Sequence, residues 1–145
     1  MAPQIIMDNE YVTLTYHPEK KIVHHQFHQT VHGKVFREVL NAGLAVFEQH
    51  HSHKWLSDDR KNSALPADDT AWAQTDWFPR VVNAGWKYWA LVMPPEITAQ
   101  MNLQEFVDTY SAYGLRVMVF NDPDKAMIWL ERRESEDVYI QSPSV

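Results

Sequence analysis

A run of polar and charged residues directly follows a short apolar segment near the middle of the chain. Trp55 and Leu56 precede this run, which reads SDDRKN over residues 57–62. In open α/β sheets, ligands bind outside the carboxyl ends of the strands, where such a run would lie. We therefore predict a partner- or ligand-binding site there. Its predicted residues are Asp58, Asp59, Arg60, Asn62 and Ser63.

The carboxylates of this run allow three interpretations. They can bind Mg²⁺ through oxygen ligands, contact a polar ligand or partner, or bond only to nearby arginines and loop amides. Asp58 and Asp59 are adjacent in a strand, where successive side chains point to opposite faces, so only one of them can face a given pocket. Asn121 and Asp122 would share this edge of the sheet, but Asp122 is already explained as a helix N-cap.

Tryptophan is concentrated between Lys54 and Pro95, a segment that holds five of the six in the chain. Each aromatic side chain can bury about 150–250 Å², and an indole needs a partner for its N–H group. The cluster is interpreted either as a tryptophan-rich core or as the wall of a pocket or docking patch. In the second interpretation, the wall beside the polar run consists of Trp72, Trp77 and Arg80.

All eight histidines lie between residues 17 and 53, which invites a metal interpretation. His24 and His28 share a strand face but are about 13 Å apart at 3.3 Å per residue, so they cannot chelate one ion. His50 and His51, at a helix end, are better explained by the helix dipole, which favours protonated histidine there. We predict no metal site, no cofactor and no catalytic residue, because the usual nucleophile, phosphate-loop and metalloprotease motifs do not occur.

Composition and charge exclude several functional classes. A chain of 145 residues with 45% hydrophobic residues fits one domain. The net charge of -6 leaves no basic stripe, so neither nucleic acid nor an anionic membrane is expected as a partner. The absence of cysteine excludes disulfides, iron–sulfur clusters and thiolate catalysis. The amino terminus does not resemble a secretory signal and no window could span a membrane, so a cytoplasmic location is expected.

Hydrophobic periodicity predicts the elements that must position these residues. Residues 11–16 and 22–27 alternate and are typical of an antiparallel β-hairpin, and residues 31–50 have helical spacing. Further strands are predicted at Trp55–Leu56, 88–93 and 115–120. One helix is predicted to begin at a cap formed by Asp68 or Asp69 and to break near Trp77, ahead of Pro79. Further helices are predicted at residues 103–113 and from Asp122 and Pro123 onward.

The resulting order of elements is β-β-α-β-α-β-α-β-α. Regular alternation after the hairpin implies parallel strands with right-handed crossovers, so the predicted fold class is α/β, with a mixed sheet and helices packed on it. We predict a single domain over residues 1–145. Its core spans about 10–132, and a loose carboxyl-terminal tail spans about 134–145.

This order of elements resembles that of the STAS domain, found in sulphate transporters and anti-sigma-factor antagonists. The resemblance covers about residues 10–132 and is clearest over residues 117–130, which read VMVFNDPDKAMIWL. That segment is similar to the strand, acidic turn and Ala-x-x-Trp-Leu helix of the antagonist-like branch. In antagonists a serine or threonine at the start of the helix after the third strand is phosphorylated. Here the usual Asp-Ser-Ser-Gly type run is replaced, and Ser63 is the nearest candidate, with Ser57 a weaker one.

The resemblance implies a non-enzymatic regulatory module of STAS type. Such a module would bind a partner protein through the rim after the third predicted strand. The alternative is a small-ligand sensor or an uncharacterised enzyme, whose aromatic-walled acidic pocket would use Asp59 and Arg60 as polar contacts. A homodimer that uses these aromatic residues as its interface is a third hypothesis.

Overall fold

The computed structural model describes residues 2–134, so the predicted tail from residue 135 onward lies outside the described residues. The strands are β1 (Gln4–Asp8), β2 (Val12–His17), β3 (Ile22–Phe27), β4 (Lys54–Asp58), β5 (Tyr88–Val92) and β6 (Arg116–Phe120). The helices are α1 (Gly33–Gln49), α2 (Ala67–Trp72), α3 (Phe78–Asn83), α4 (Pro95–Thr98), α5 (Leu103–Ser111) and α6 (Pro123–Arg132). Within residues 2–134, no helix combines the length and apolar character needed to cross a bilayer.

The strands form one six-stranded mixed sheet in the order β1-β2-β3-β4-β5-β6. β1 to β3 are antiparallel neighbours and β3 to β6 are parallel, which confirms the α/β class and the mixed sheet. The predicted hairpin is confirmed as β2 and β3, but β1 was not predicted, and it extends the hairpin to a three-stranded meander that begins before residue 10. Ile5 and Ile6 are both exposed and the pairing register shifts between Ile5 and Met7. No alternation of apolar and polar residues therefore marks this edge strand.

Helices cover both faces of the sheet. Right-handed crossovers between successive parallel strands place α1, the α2–α3 segment and α5 on one face, whereas α6 follows the last strand and packs on the other. Adjacent residues of β4 show the division. Trp55 belongs to the larger core under α1, and Leu56 belongs to the smaller core under α6.

The α2–α3 segment contains a π-helical turn, Ala73–Trp77, at the place where a helix break is predicted. Pro79 is near the start of α3 and has no N–H to donate to the preceding turn. The wider π turn accommodates this missing donor, so the helix continues through Trp77 rather than ending there. Turns of this kind are frequent at functional sites.

The predicted cap of α6 is confirmed and that of α2 is wrong. The Asp122 side chain accepts a hydrogen bond from the N–H of Asp124 at the start of α6. In α2 the N-cap position is Pro66, and neither acid of the first turn caps the helix. Asp69 is instead buried, and it accepts a hydrogen bond from the N–H of Gly33 at the start of α1. Asp69, whose position is typical of a cap for its own helix, therefore bonds the neighbouring helix α1 instead.

Gly43 allows α1 to approach the sheet closely. A Cβ atom at this position would lie 2.4 Å from Cη2 of Trp55, a ring that is fully buried. Trp55 contacts Phe47, Trp77 and Trp86, with ring centroids between 5.2 and 6.0 Å apart. This one indole therefore connects α1, β4 and the π-helical turn, and it supports the side chains of the cavity described next.

Candidate functional site

A cavity of about 210 Å³ lies on the α1 face of the sheet, at the carboxyl ends of β3, β4 and β5. The π-helical turn borders it on one side and α5 on another. Aromatic side chains form a large part of its lining, and the principal rings are Phe27, Trp77, Trp86, Trp89, Phe106 and Tyr110. Its polar lining residues include His25, Ser57, Asp59, Asn62 and Ser63. The cavity therefore brings part of the polar run after β4 against part of the tryptophan cluster.

A chain of hydrogen bonds positions Asp59 at the base of the cavity. The indole Nε1–H of Trp55 donates to Nδ1 of His25 at 3.0 Å, and Nε2 of His25 lies 2.7 Å from Oδ1 of Asp59. Because an indole nitrogen can only donate, His25 Nδ1 must accept and its proton must be on Nε2. His25 thus donates to Asp59 and fixes the orientation of that carboxylate.

Asp59 remains accessible although one of its oxygens is bonded. Its backbone N–H donates to the carbonyl of Val92 at 2.9 Å, which continues the parallel pairing of β4 and β5 one residue beyond β4. Its side chain is 24% exposed, in contrast to 4% for His25. Among the described residues, no hydrogen bond is formed to its Oδ2, so this oxygen can accept one from a ligand.

Two further polar side chains complete the polar side of the cavity. Ser57 Oγ accepts a hydrogen bond from Nε1–H of Trp89 at 2.9 Å, which leaves the hydroxyl hydrogen free to donate. Asn62 is buried, and its Oδ1 accepts from the backbone N–H of Val31 at 3.1 Å. Its Nδ2 is buried without a hydrogen-bond partner in the described chain. Such groups are rare and call for a functional or solvent partner.

The N–H groups of the three tryptophans that line the cavity all bond to protein oxygens. Trp77 Nε1–H donates to the carbonyl of Leu40 at 2.9 Å, and Trp86 Nε1–H donates to the carbonyl of Tyr88 at 3.0 Å. Trp89 donates to Ser57, as described above. Trp86 contacts both of the other indoles, with centroid distances of 5.7 Å to Trp77 and 5.2 Å to Trp89. Together they form a continuous apolar wall.

α5 contributes the outer aromatic residues, Phe106 and Tyr110. The ring of Tyr110 meets that of Trp89 edge-on at 5.1 Å, and that of Phe106 lies 5.8 Å from Trp89. Burial raises the pKa of Tyr110 above its ordinary value, partly offset by a hydrogen bond with Gln74. The Tyr110 phenol is therefore uncharged at neutral pH. No residue of α5 is fully buried, so this helix is the least embedded wall of the cavity.

Of the eight predicted site residues, four line the cavity and four do not. The lining residues are Asp59, Asn62, Ser63 and Trp77, and the others are Asp58, Arg60, Trp72 and Arg80. Asp58 is buried on the opposite face of the sheet, where both of its oxygens bond Arg60 at 2.9 and 2.7 Å. This pairing raises the pKa of the Arg60 guanidinium. Arg60 is therefore committed to Asp58 and is not the polar contact beside Asp59.

The predicted wall differs from the observed one at its other two members. Trp72 packs edge-on against Phe36, with the guanidinium of Arg37 5.2 Å from its ring centre. Arg80 is exposed and bonds Asp76 in an ordinary i,i+4 pair at 2.9 Å. Neither residue lines the cavity, because Trp72 packs against the larger core beside Phe36 and Arg80 lies at the surface.

Sequence reasoning missed His25, Trp86, Trp89 and Tyr110 as site residues. One signal was present for His25, since the alternation of β3 places it on the same face as Val23 and Phe27. What was missing is the pairing partner, because His25 lies beside Ser57 only through the parallel register of β3 and β4.

The histidines and the phosphorylation candidate are placed as follows. Within residues 2–134, no group of three metal-ligating side chains is close enough to hold an ion. His17 and His24 bond one another at 3.2 Å on β2 and β3.

Ser63 lies in the loop before Ala67, the first residue of α2, and its side chain lines the cavity. A phosphate on Ser63 would therefore enter the cavity rather than meet the amino terminus of α2.

No family model, no curated protein and no solved structure matches this chain. The resemblance to the STAS domain thus depends on sequence patterns, and the functional assignment depends on the cavity. What the cavity offers chemically is an accessible carboxylate, the hydroxyl and amide groups of several further lining residues, and an aromatic wall.

Proposed function

We propose that this protein binds a small, mostly apolar molecule in the cavity at the carboxyl ends of β3, β4 and β5, and acts as a ligand-binding module or sensor. The observation that carries the proposal is the convergence of unused polar groups on an aromatic pocket. Asp59 Oδ2, the Ser57 hydroxyl and the buried Nδ2 of Asn62 all belong to lining residues. Pockets that bind small molecules combine apolar walls with a few placed polar groups in this way.

The size of the cavity limits the size of the ligand. Pockets for drug-sized molecules measure about 300–1,000 Å³. An apolar cavity of about 150 Å³ is enough to hold benzene. At about 210 Å³, the present cavity suits one ring or a short branched chain with a single polar substituent.

Binding rather than turnover is proposed because the groups that could catalyse a reaction are already committed. Both ring nitrogens of His25 are bonded, one to Trp55 and one to Asp59, so neither is free to take a proton from a substrate. Ser57 Oγ is held by Trp89 and has no hydrogen-bonded base among the described residues. An activated nucleophile needs a base within hydrogen-bond reach.

Filling the cavity at Ser63 should abolish ligand binding, whereas the same change one residue later should not. Ser63→Phe places a ring in the cavity, and Ala64→Phe is the matched control because Ala64 is exposed and does not line the cavity. Benzyl alcohol, titrated while the indole N–H signals are followed by NMR, should shift the signals of Trp86 and Trp89 in the wild type and in Ala64→Phe. Ser63→Phe should weaken binding at least about tenfold, or about 1.4 kcal/mol.

The ligand-binding proposal is contradicted if benzyl alcohol and benzylamine both leave every indole signal unchanged. It is also contradicted if both phenylalanine variants bind like the wild type, since the ligand would then be outside the cavity.

We infer a second candidate function, contact with a partner protein or a second copy of the chain, in line with the STAS resemblance. Exposed apolar residues on α5 and in the turn that follows it favour this function. Leu103 is 43% exposed and Tyr113 is 59% exposed. They extend the stripe formed by Phe106 and Tyr110 at helical spacing. Exposed apolar patches of this kind often mark interaction sites.

If a second copy covers α5, light scattering should give about twice the chain mass of 17.0 kDa. Tyr113→Glu should return the protein to a monomer because a buried, unpaired carboxylate is costly. Met118→Glu is the control, since Met118 is also exposed but faces the side of the sheet that carries α6. If light scattering gives a monomer at all concentrations, the homodimer hypothesis is rejected. If the two variants change the measured mass equally, α5 is not the interface.

A further inference from the structure

We propose that the molecule bound in the cavity is a small organic cation, an amine or methylated ammonium group on an apolar body of about one ring. The proposal rests on the ligand-binding role given above and names the chemical class of its ligand. The geometry of Asp59, the charges along the lining and the aromatic composition of the wall each support it.

The formal charge of the lining is negative and comes from one residue. Asp59 is the only acidic side chain among the residues that line the cavity in the described part of the chain, and no lysine or arginine joins it. The nearest arginine in sequence, Arg60, is paired through two hydrogen bonds with Asp58 on the opposite face of the sheet. An anionic ligand would meet an uncompensated carboxylate, whereas a cation would neutralise it.

Asp59 is oriented so that one oxygen is reserved for a ligand. His25 donates to Oδ1 at 2.7 Å, and His25 is itself held by Trp55 at 3.0 Å. Oδ2 has no hydrogen bond within residues 2–134. A carboxylate beside apolar rings loses much of its hydration, and a paired ammonium N–H compensates this loss by a charge-assisted hydrogen bond.

The aromatic walls add a second attraction for a cation. The N–H groups of Trp77, Trp86 and Trp89 bond to protein oxygens, so these indoles meet a ligand through their apolar carbon atoms and π systems. A cation within about 6 Å of a ring centroid is attracted by the negative face of the ring, most strongly for tryptophan. Several such faces beside one carboxylate are the usual chemistry of ammonium recognition.

The remaining polar groups of the lining do not reverse this preference. The Tyr110 phenol stays protonated because burial raises its pKa, so it adds no second negative charge. The unpartnered Nδ2 of Asn62 is a neutral donor.

Three probes of nearly equal size and different charge test the proposal. Benzylamine is cationic at neutral pH, benzyl alcohol is neutral and benzoate is anionic. Their affinities are measured by NMR titration of the indole N–H signals. We expect benzylamine to bind at least about tenfold tighter than benzyl alcohol, and benzoate to bind more weakly than both.

Asp59→Asn isolates the contribution of the charge. Asparagine retains an oxygen that can accept from His25, so the fold and the position of the side chain should be preserved. We expect benzylamine to lose at least about tenfold in affinity and benzyl alcohol to change by less than about twofold. Asp68→Asn removes one carboxylate from an exposed position outside the cavity and should leave both affinities unchanged, which controls for net charge.

Each outcome separates the ligand class from the ligand-binding role. If benzyl alcohol binds as tightly as benzylamine, or if Asp59→Asn leaves the preference intact, the cation proposal is overturned while the cavity remains a binding site. If benzoate binds best, the ligand is an anion and the proposal is equally overturned. If no probe binds, both the ligand-binding role and its cationic ligand are rejected.

Discussion

Replacing Asp69 with alanine is expected to lower the free energy of unfolding by about 2–4 kcal/mol. Asp69 is 1% exposed and bonds α1 through both oxygens. Oδ2 accepts from the backbone N–H of Gly33 at 2.8 Å, and Oδ1 lies 3.2 Å from Nε of Arg37. The N-cap residue of α1, His32, forms no side-chain cap, so Asp69 supplies from α2 the acceptor that α1 lacks locally.

The loss at Asp69 combines three effects. The Gly33 N–H would be left without an acceptor, Arg37 would lose its carboxylate, and the helix dipole would lose a negative charge at the amino terminus of α1. Arg37 is 36% exposed, so solvent compensates part of its loss, and the expected value lies below that of a fully buried ion pair.

Urea unfolding of the variants at neutral pH measures this contribution. Asp68→Ala is the matched control, because Asp68 is the preceding residue, is exposed and its side chain bonds only the N–H of Asp69. It should cost less than about 1 kcal/mol. Asp69→Asn should retain most of the Gly33 bond and fall between the two alanine variants. Equal effects of Asp68→Ala and Asp69→Ala would mean that Asp69 acts as a local cap of α2, as its sequence position predicts.

Asp69 also shows why local patterns identify elements better than contacts. An acid at the start of a helix is typical of an N-cap, and the same pattern is correct at Asp122. Nothing in the sequence around Asp69 indicates that the start of α1 lies beside it, because this proximity depends on how α1 and α2 pack. β1 was missed for the opposite reason, since an exposed edge strand carries no alternating pattern.

The candidate site, too, could be predicted from local patterns only in part. Strand alternation is enough to state that Asp58 and Asp59 point to opposite faces and that His25 shares a face with Phe27. It cannot state that Asp59 meets His25, since their contact depends on the parallel register that places His25 beside Ser57. The position of the site after β4 was predictable, whereas the identity of its walls depended on which helix crosses above each strand.

A second large loss of stability is expected when the pH is lowered. It involves His24, which lies on the face of β3 opposite His25. Burial, together with the nearby His17 and His25, lowers the pKa of His24 to about 4 from 6.5, and Asp58 opposes this only in part. Nδ1 of His24 bonds His17 at 3.2 Å, and Nε2 is buried without a partner among the described residues. A proton on Nε2 would therefore gain no acceptor.

The direction of the change in stability follows from comparing the protonation of His24 in the folded and the unfolded chain. Above about pH 6.5, His24 is neutral in both the folded and the unfolded chain, and its contribution to stability is constant. Below that pH, the unfolded chain takes up a proton that the folded chain rejects until about pH 4. The free energy of unfolding should therefore fall as the solution is acidified, by about 2 kcal/mol between about pH 7 and pH 5. The pKa of His17 is also lowered by burial, so His17 acts in the same direction.

Urea unfolding at about pH 7 and about pH 5 measures this fall before most carboxylates titrate. His24→Gln should reduce it by at least about half, because glutamine cannot take up the proton in the unfolded state. His51→Asn, at an exposed position whose positive φ of 52° asparagine tolerates, should leave the fall unchanged. If the free energy of unfolding falls equally in the wild type and in His24→Gln, the proton is taken up by a group other than His24.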